Sequence, residues 1–96
     1  MNIDITSRHF TISEELKKIV IDKLAKLEKF NVTLTRCHVI LLKEGNSDES
    51  VEIVAHSKGH EFVAHGKSNI FEKSLAISVN KLSIQLQKQH DRIVGH

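Results

Sequence analysis

Alternating apolar and polar residues mark the first strand of the chain, and helical spacing marks the element that follows it. Ile3 and Ile5 lie on one side of residues 2–6, with polar residues on the other, the pattern of a half-buried strand. Ser13 is a good N-cap, and acidic residues fill the first turn after it. A helix is therefore predicted from there to about Lys29. Its apolar residues recur at 3.6-residue spacing: Leu16, Ile19, Val20, Leu24 and Leu27, with Phe30 closing the same face.

Three more strands and a second helix follow in the hydrophobic pattern. The strands are predicted over about 34–43, 50–57 and 60–66. Gly59 supplies the positive φ of a tight hairpin between the last two strands. Ser68 or Asn69 caps a helix that runs to about residue 92. Its predicted core face comprises Phe71, Leu75, Val79, Leu82 and Leu86, with Ile93 as the last candidate. The order β-α-β-β-β-α predicts an α+β fold with two helices packed on one face of a four-stranded sheet.

The composition indicates a single domain spanning residues 1–96. The chain is 40% hydrophobic and 27% charged, which is ordinary for a globular protein. No apolar run approaches the roughly 18–20 residues needed to cross a bilayer, and the N-terminus lacks the features of a secretory signal. Cys37, the one cysteine, lies in an apolar segment and is expected to be a small buried hydrophobe in a reducing compartment. We therefore expect a cytoplasmic protein with no membrane partner and no cofactor.

The charges are distributed unevenly, which the net charge of +2 hides. Lys23, Lys26 and Lys29 recur every three residues along the first predicted helix, and leucines occupy its opposite flank. A second basic series on the last helix consists of Lys81, Lys88 and Arg92. Two basic helical edges on a small domain are typical of a protein that contacts RNA phosphates. If the helices pack side by side, the rows are predicted to line a shared groove. Solvated helix faces are the alternative, since lysine is a strong helix former.

Other residue groups indicate different kinds of site. His38, His56 and His65 are predicted on the sheet face away from the helices, where partly exposed side chains are a better interpretation than a three-histidine metal site. Aliphatic residues on the same face are Ile40, Leu42, Val54 and Val63, and an isoleucine row on the last helix consists of Ile70, Ile77 and Ile84. These surfaces favour, as an alternative function, a protein-interaction or self-associating module. No catalytic constellation is present, so an enzyme is not predicted.

Five segments of the sequence form a more specific pattern together than any one does alone. They are Asn2-Ile-Asp-Ile-Thr-Ser7, the helix start Ile12-Ser-Glu-Glu15, the block Asp22-Lys-Leu-Ala-Lys-Leu-Glu-Lys-Phe30, the strand His38-Val-Ile-Leu-Leu-Lys-Glu44, and Asn80-Lys-Leu82 with Gln85-Leu86. Together they resemble the ribosome hibernation promoting factor family, also called ribosome-associated inhibitor A or sigma-54 modulation protein. The resemblance covers nearly the whole chain, and the block at 22–30 is its most specific part.

The resemblance implies both a fold and a function. The family has the β-α-β-β-β-α order and is similar to double-stranded-RNA-binding domains. It implies a protein of stationary phase or stress that binds the small ribosomal subunit in the channel for mRNA and the A- and P-site tRNAs, and so silences translation. Basic side chains would contact rRNA phosphates. The positions carried over are Lys23, Lys26 and Lys29 on the first helix and Lys81 and Lys88 on the second.

Length and a few substitutions distinguish the chain within that family. The sequence stops before the C-terminal domain of the long forms, so it resembles the short form. That form acts in some bacteria with ribosome modulation factor to pair ribosomes into inactive dimers. Ile84 stands where an arginine is usual. Where Asp-Met-Tyr is common, the chain has Asn69-Ile-Phe71, or Ile70-Phe-Glu72 if the alignment is kept gapless to Lys81. Acids are expected at the positions of Ala76, Ile77 and Asn80. The missing arginine predicts weaker phosphate contact along the second helix, and the changed outer face indicates a different partner there. A monomer is expected away from the ribosome.

Overall fold

The computed structural model describes the backbone of residues 1–30 and 33–94 and the side chains of residues 1–29 and 33–91. Its elements are β1 (Asn2–Arg8), α1 (Glu14–Ala25), a 3₁₀ segment (Lys26–Phe30), β2 (Leu34–Glu44), β3 (Asp48–Ser57), β4 (His60–Ser68) and α2 (Phe71–Val94). The predicted order is confirmed. Each strand is one or two residues longer than predicted, because the added residues are mostly polar and only their backbone pairing marks them as strand.

The four strands form one sheet in the order β1-β2-β3-β4. β1 runs parallel to β2, and the other neighbours are antiparallel. The predicted hairpin between β3 and β4 turns at Gly59, whose φ of 79° lies in the left-handed region. β1 and β4 are therefore the edge strands of an open sheet.

The hydrophobic core lies between one face of this sheet and the two helices. Alternate residues of β2, β3 and β4 point into it: Cys37, Val39, Leu41, Val51, Ile53, Ala55, Phe62 and Ala64. The helices contribute Val20, Leu24, Leu27, Phe71, Leu75, Leu82 and Leu86. Val79 is only partly buried at the edge of this core, and the side chain of Ile93 lies outside the described residues. The other face of the sheet carries no helix among the described elements.

The end of the first helix differs from the prediction. Ser13 caps α1 as expected, with its Oγ accepting the N–H of Leu16 at 3.1 Å. The α-helix ends at Ala25, however, and the chain continues as the 3₁₀ segment rather than as α-helix to Lys29. Such tightening is common at helix C-termini, where the last carbonyls lack regular partners. Hydrophobic spacing does not reveal it, because apolar residues three apart fit both geometries.

The start of α2 is held by a residue distant in sequence. Ser68 and Asn69 were the predicted caps, but the carbonyl of Ile70 accepts the first helical bond, from Ser74 N–H at 3.1 Å. The N–H of Phe71 donates to Oε1 of Glu49 on β3 at 2.8 Å. A carboxylate at a helix N-terminus satisfies a free donor and complements the helix dipole. The cap comes from a neighbouring strand, so local sequence does not predict it.

Candidate nucleic-acid interface

The predicted row of Lys23, Lys26 and Lys29 lies at the end of α1 and along the 3₁₀ segment. Lys23 is half-buried, whereas Lys26 and Lys29 are exposed. Residues three apart eclipse each other in a 3₁₀ helix, so the change of geometry after Ala25 keeps Lys26 and Lys29 on one side. Leu27 between them is buried and anchors the segment in the core. One edge of the molecule therefore carries all three ammonium groups.

This edge faces α2 across a groove of about 210 Å³. We call it the lysine groove; it is lined by Lys23, Lys26, Leu27, Lys29, Ala76, Val79, Asn80 and Ser83. None of these residues is acidic, and the wall contributed by α2 is neutral. In the described part of the chain, neither Lys23 nor Lys26 forms an ion pair. A basic groove with a neutral opposite wall favours an anionic ligand.

The second basic series lies on the other flank of α2, so the two rows do not line one groove as predicted. Nζ of Lys81 donates to the backbone carbonyl of His65 on β4 at 3.0 Å, and Lys88 lines a small cavity beside the same strand. Each residue advances about 100° around an α-helix, so Lys81 follows Asn80 onto a side that faces away from α1. Arg92 belongs to α2, but its side chain lies outside the described residues.

Polar side chains of α2 also cover the edge of β4. Nε2 of Gln85 donates to the carbonyl of Val63 at 2.8 Å. Nε2 of Gln89 lies 3.1 Å from a ring nitrogen of His60. Lys81 and Gln85 thus occupy carbonyls that an edge strand would otherwise leave open to another strand.

Two polar residues of α2 were not predicted as site residues. Asn80 lines the lysine groove, and Gln85 binds the edge of β4. From the sequence, both are parts of a family motif, and Asn80 is also a position where an acid is expected. The sequence alone does not show which flank of α2 faces α1 and which faces β4. Once the sheet order is known, the spacing of Asn80 and Gln85 from the core residues Leu75 and Leu82 places each on its flank.

The three sheet histidines do not converge on one point. Nε2 of His38 lies 2.8 Å from Oγ1 of Thr6, and Nδ1 of His56 lies 3.6 Å from a carboxylate oxygen of Glu61. His65 is exposed on the edge strand β4. Among the described residues, no three His, Cys, Asp or Glu side chains are grouped as metal ligands. His38 and His56 therefore make separate polar contacts on the open face of the sheet.

The aliphatic side chains on the other candidate surfaces are unevenly exposed. On the open sheet face, Val63 is 47% exposed. The half-buried residues of that face are Ile40, Leu42 and Val54. In the isoleucine row, Ile70 and Ile84 are 51% and 50% exposed, but Ile77 lies over Gly66 of β4. The row is therefore interrupted at its centre.

Two titratable groups with shifted pKa values lie away from the lysine groove. Burial raises the pKa of the Cys37 thiol from 9.0 to about 11, so it stays protonated at neutral pH and is a poor nucleophile. The hydrogen bond and charge of Glu44, with a further contribution from Asp48, raise the pKa of Lys67. These shifts follow from burial and ion pairing and do not indicate a catalytic group.

A known protein family accounts for nearly the whole chain. The sequence model of the family described as Sigma 54 modulation protein / S30EA ribosomal protein matches residues 3–94. The chain belongs to this family. The resemblance stated from the sequence is thus confirmed.

Individual members of the Sigma 54 modulation protein / S30EA family agree with this assignment. The chain is 28% identical over 96 residues to the ribosome hibernation promoting factor of Escherichia coli (strain K12), covering 100% of both chains. It is 26% identical over 92 residues to the ribosome hibernation promoting factor of Pseudomonas putida, covering 96% of this chain and 89% of that one. Both relatives are named ribosome hibernation promoting factor, and both match over most or all of their length.

Solved structures confirm the fold. A ribosomal subunit interface protein from Coxiella burnetii superposes with a TM-score of 0.86 at 22% identity, covering 93% of this chain and 97% of that one. The N-terminal domain of Protein Y from Thermus thermophilus gives a TM-score of 0.85 at 22% identity, covering 93% and 99%. The predicted fold, two helices on a four-stranded sheet as in double-stranded-RNA-binding domains, is confirmed.

Membership of the family also bears on the chemistry expected of the chain. The family consists of ribosome-binding hibernation factors and not of enzymes, so the chain is a non-enzymatic protein, as predicted. α2 is 24 residues long. Within the described residues, neither it nor α1 is long and apolar enough to cross a membrane.

Proposed function

We propose that this protein is a ribosome hibernation factor that binds the small ribosomal subunit through rRNA phosphates, with the lysine groove as its main contact. The observation that supports this most directly is the alignment of Lys23, Lys26 and Lys29 along one edge, opposite a wall without acids. Lysine ammonium groups position a phosphate backbone without reading bases. Bound in the channel for mRNA and the A- and P-site tRNAs, the protein would exclude both and silence translation in stationary phase or stress.

The second basic series is proposed to contact a separate stretch of rRNA. Lys81 and Lys88 lie on the flank of α2 beside β4, across that helix from the lysine groove. Arg92 is proposed to extend this series along α2. Lys81 uses one N–H on the His65 carbonyl and keeps others for a phosphate. The protein is proposed to be cytoplasmic and monomeric off the ribosome. Ribosome modulation factor is a proposed partner in forming inactive ribosome dimers.

Charge reversal in the lysine groove tests the proposed site. Lys23→Glu with Lys26→Glu is expected to abolish co-sedimentation with small ribosomal subunits, because two attractions to phosphate become repulsions. Lys58→Glu with Lys73→Glu makes the same change of charge at exposed positions outside the groove, and it is expected to retain most of the binding. Circular dichroism would verify that both variants are folded. If the groove variant still pellets with ribosomes at moderate salt, the proposed contact is wrong.

Salt dependence separates this function from the alternative. If the three lysines of the groove and the three cations of the second series each neutralise one phosphate, log K should fall with log salt with a slope of about −4 to −5. A protein-interaction module, for which half-exposed Ile70 and Ile84 are the supporting observation, would bind through apolar contacts and show a nearly flat response. Sedimentation of the isolated protein would then reveal self-association, which RNA binding alone does not require.

A further inference from the structure

The wall that α2 contributes to the lysine groove offers one free polar group. Asn80 is exposed, and its side chain makes no hydrogen bond to another described residue. Its neighbours on that wall cannot serve as well. Ala76 and Val79 have no polar side-chain atoms, and Oγ of Ser83 already donates to the Val79 carbonyl at 2.8 Å. Asn80 therefore supplies the available neutral donor opposite the lysines.

The position of Asn80 is fixed by the core. The same stretch of α2 buries Leu75 and Leu82 completely against the sheet. On the other side of the groove, Leu24 and Leu27 hold the lysine-bearing segment in that core. Both walls of the groove are thus anchored in one set of packed side chains. The backbone that carries Asn80 is therefore already in place, and only its side chain has to be ordered when it binds a ligand.

An amide and a pair of lysines suit different features of a phosphodiester. The lysines supply charge but little direction, whereas the two N–H groups of an asparagine amide fix the orientation of an acceptor. Hydrogen bonds to a charged oxygen are stronger than neutral ones. We propose that Asn80 donates its side-chain amide hydrogens to a phosphodiester oxygen held by Lys23 and Lys26, which makes the lysine groove a two-sided phosphate site. This inference rests on the proposed function and adds a residue to its site.

The absence of charge on the side chain at position 80 is as important in this arrangement as its hydrogen-bond donor. A carboxylate there would accept hydrogen bonds from the lysines and repel the phosphate, so it would compete with RNA for the same cations. Asn80→Asp keeps the shape of the side chain and tests this point. Asn80→Ala removes the donor without adding charge. Asn46 lies exposed in the turn between β2 and β3, and Asn46→Ala and Asn46→Asp are the matched controls.

The experiment measures the affinity of the full chain for purified bacterial small ribosomal subunits over a series of salt concentrations. Loss of one partly solvated hydrogen bond to a charged group predicts binding about three- to tenfold weaker for Asn80→Ala. Asn80→Asp should be weaker still, and the Asn46 variants should stay within about twofold of wild type. A neutral amide releases no counterion, so Asn80→Ala should leave the salt slope unchanged. Lys23→Gln with Lys26→Gln should reduce that slope by about two.

The outcomes distinguish this inference from the function on which it rests. If Asn80→Ala binds within about twofold of wild type while Lys23→Gln with Lys26→Gln loses affinity, the lysine contact stands and the role of Asn80 is overturned. If the lysine variant also binds as wild type does, the proposed site itself fails. Weaker binding by Asn80→Ala with a reduced salt slope would also overturn the inference, because a change at a neutral donor would not alter counterion release.

Discussion

At the scale of single residues, Gly66 allows α2 to cross close to β4. A Cβ atom on Gly66 would collide with the backbone carbonyl of Ser74 and lie 3.0 Å from the backbone nitrogen of Ser78. Both serines are fully buried, and their small side chains allow this approach. The sequence indicates the core face of α2 from its leucines, but not that two serines belong to it. That depends on which residue of β4 lies beneath them.

We predict that Gly66→Ala destabilises the protein by about 2–3 kcal/mol, because the added methyl group meets helix backbone that cannot rotate away. Urea denaturation measures the change. Gly59→Ala is the control. Its Cβ would meet nothing within 4 Å, so its cost is limited to about 1–2 kcal/mol for a left-handed φ. A Gly66→Ala variant no less stable than Gly59→Ala would refute this account of the packing.

At the scale of elements, the two flanks of α2 contact different parts of the molecule. One flank borders the lysine groove through Ala76 and Asn80, and the other covers the edge of β4 through Lys81 and Gln85. Periodicity predicted the helix and its leucine face, because both follow from local spacing. The prediction that Lys81 lines the same groove is wrong. Periodicity does not show which flank of α2 faces α1 and which faces β4, because that depends on the tertiary packing.

Replacing both edge-covering donors is expected to leave the β4 edge open. Lys81→Met with Gln85→Met keeps chains of similar length but removes two hydrogen bonds to strand carbonyls. We expect the free energy of unfolding to fall by about 1–2 kcal/mol. The variant should also sediment as a larger species than wild type at high concentration, because an unprotected edge can pair with another strand.

The control for the edge variant is Lys88→Met, which removes a charge of the same sign from the same region of α2. Lys88 has no hydrogen bond to β4 among the described residues, so its sedimentation and stability should match wild type. Self-association of both variants to the same extent would show that lost charge, rather than an uncovered strand edge, is the cause.

At the scale of the whole molecule, acids and lysines gather near opposite ends of α1. At the end where the helices begin, Glu49 caps α2, and Glu44 and Asp48 hold Lys67 at 3.1 and 3.7 Å. The lysine groove lies toward the other end of α1. The sequence predicts this separation in outline, because the acids cluster around one turn and the lysines at one helix end. In the folded protein, this separation along the sequence becomes a separation in space.

That distance has a measurable consequence for ribosome binding. Glu28 lies within the lysine row, between Lys26 and Lys29, whereas Glu15 is in the first turn of α1. Eight residues separate Glu15 from Lys23, the nearest lysine of the groove, or about 12 Å along the helix, more than the Debye length of about 10 Å at 0.1 M salt. We therefore predict that Glu28→Gln tightens binding to small ribosomal subunits about two- to fivefold at 0.1 M salt. Glu15→Gln should leave it unchanged there.

The two variants remove the same charge, so only position distinguishes them. At about 0.01 M salt the Debye length grows to about 30 Å, and Glu15→Gln should then also tighten binding. Titrations at both salt concentrations, with unfolding curves to exclude a loss of stability in either variant, measure this convergence. Equal effects of the two variants at 0.1 M would mean that net charge alone attracts the ribosome. If the two variants differ in affinity at 0.1 M salt and converge only at low salt, the ribosome is recognised at the end of α1 that carries the lysine groove.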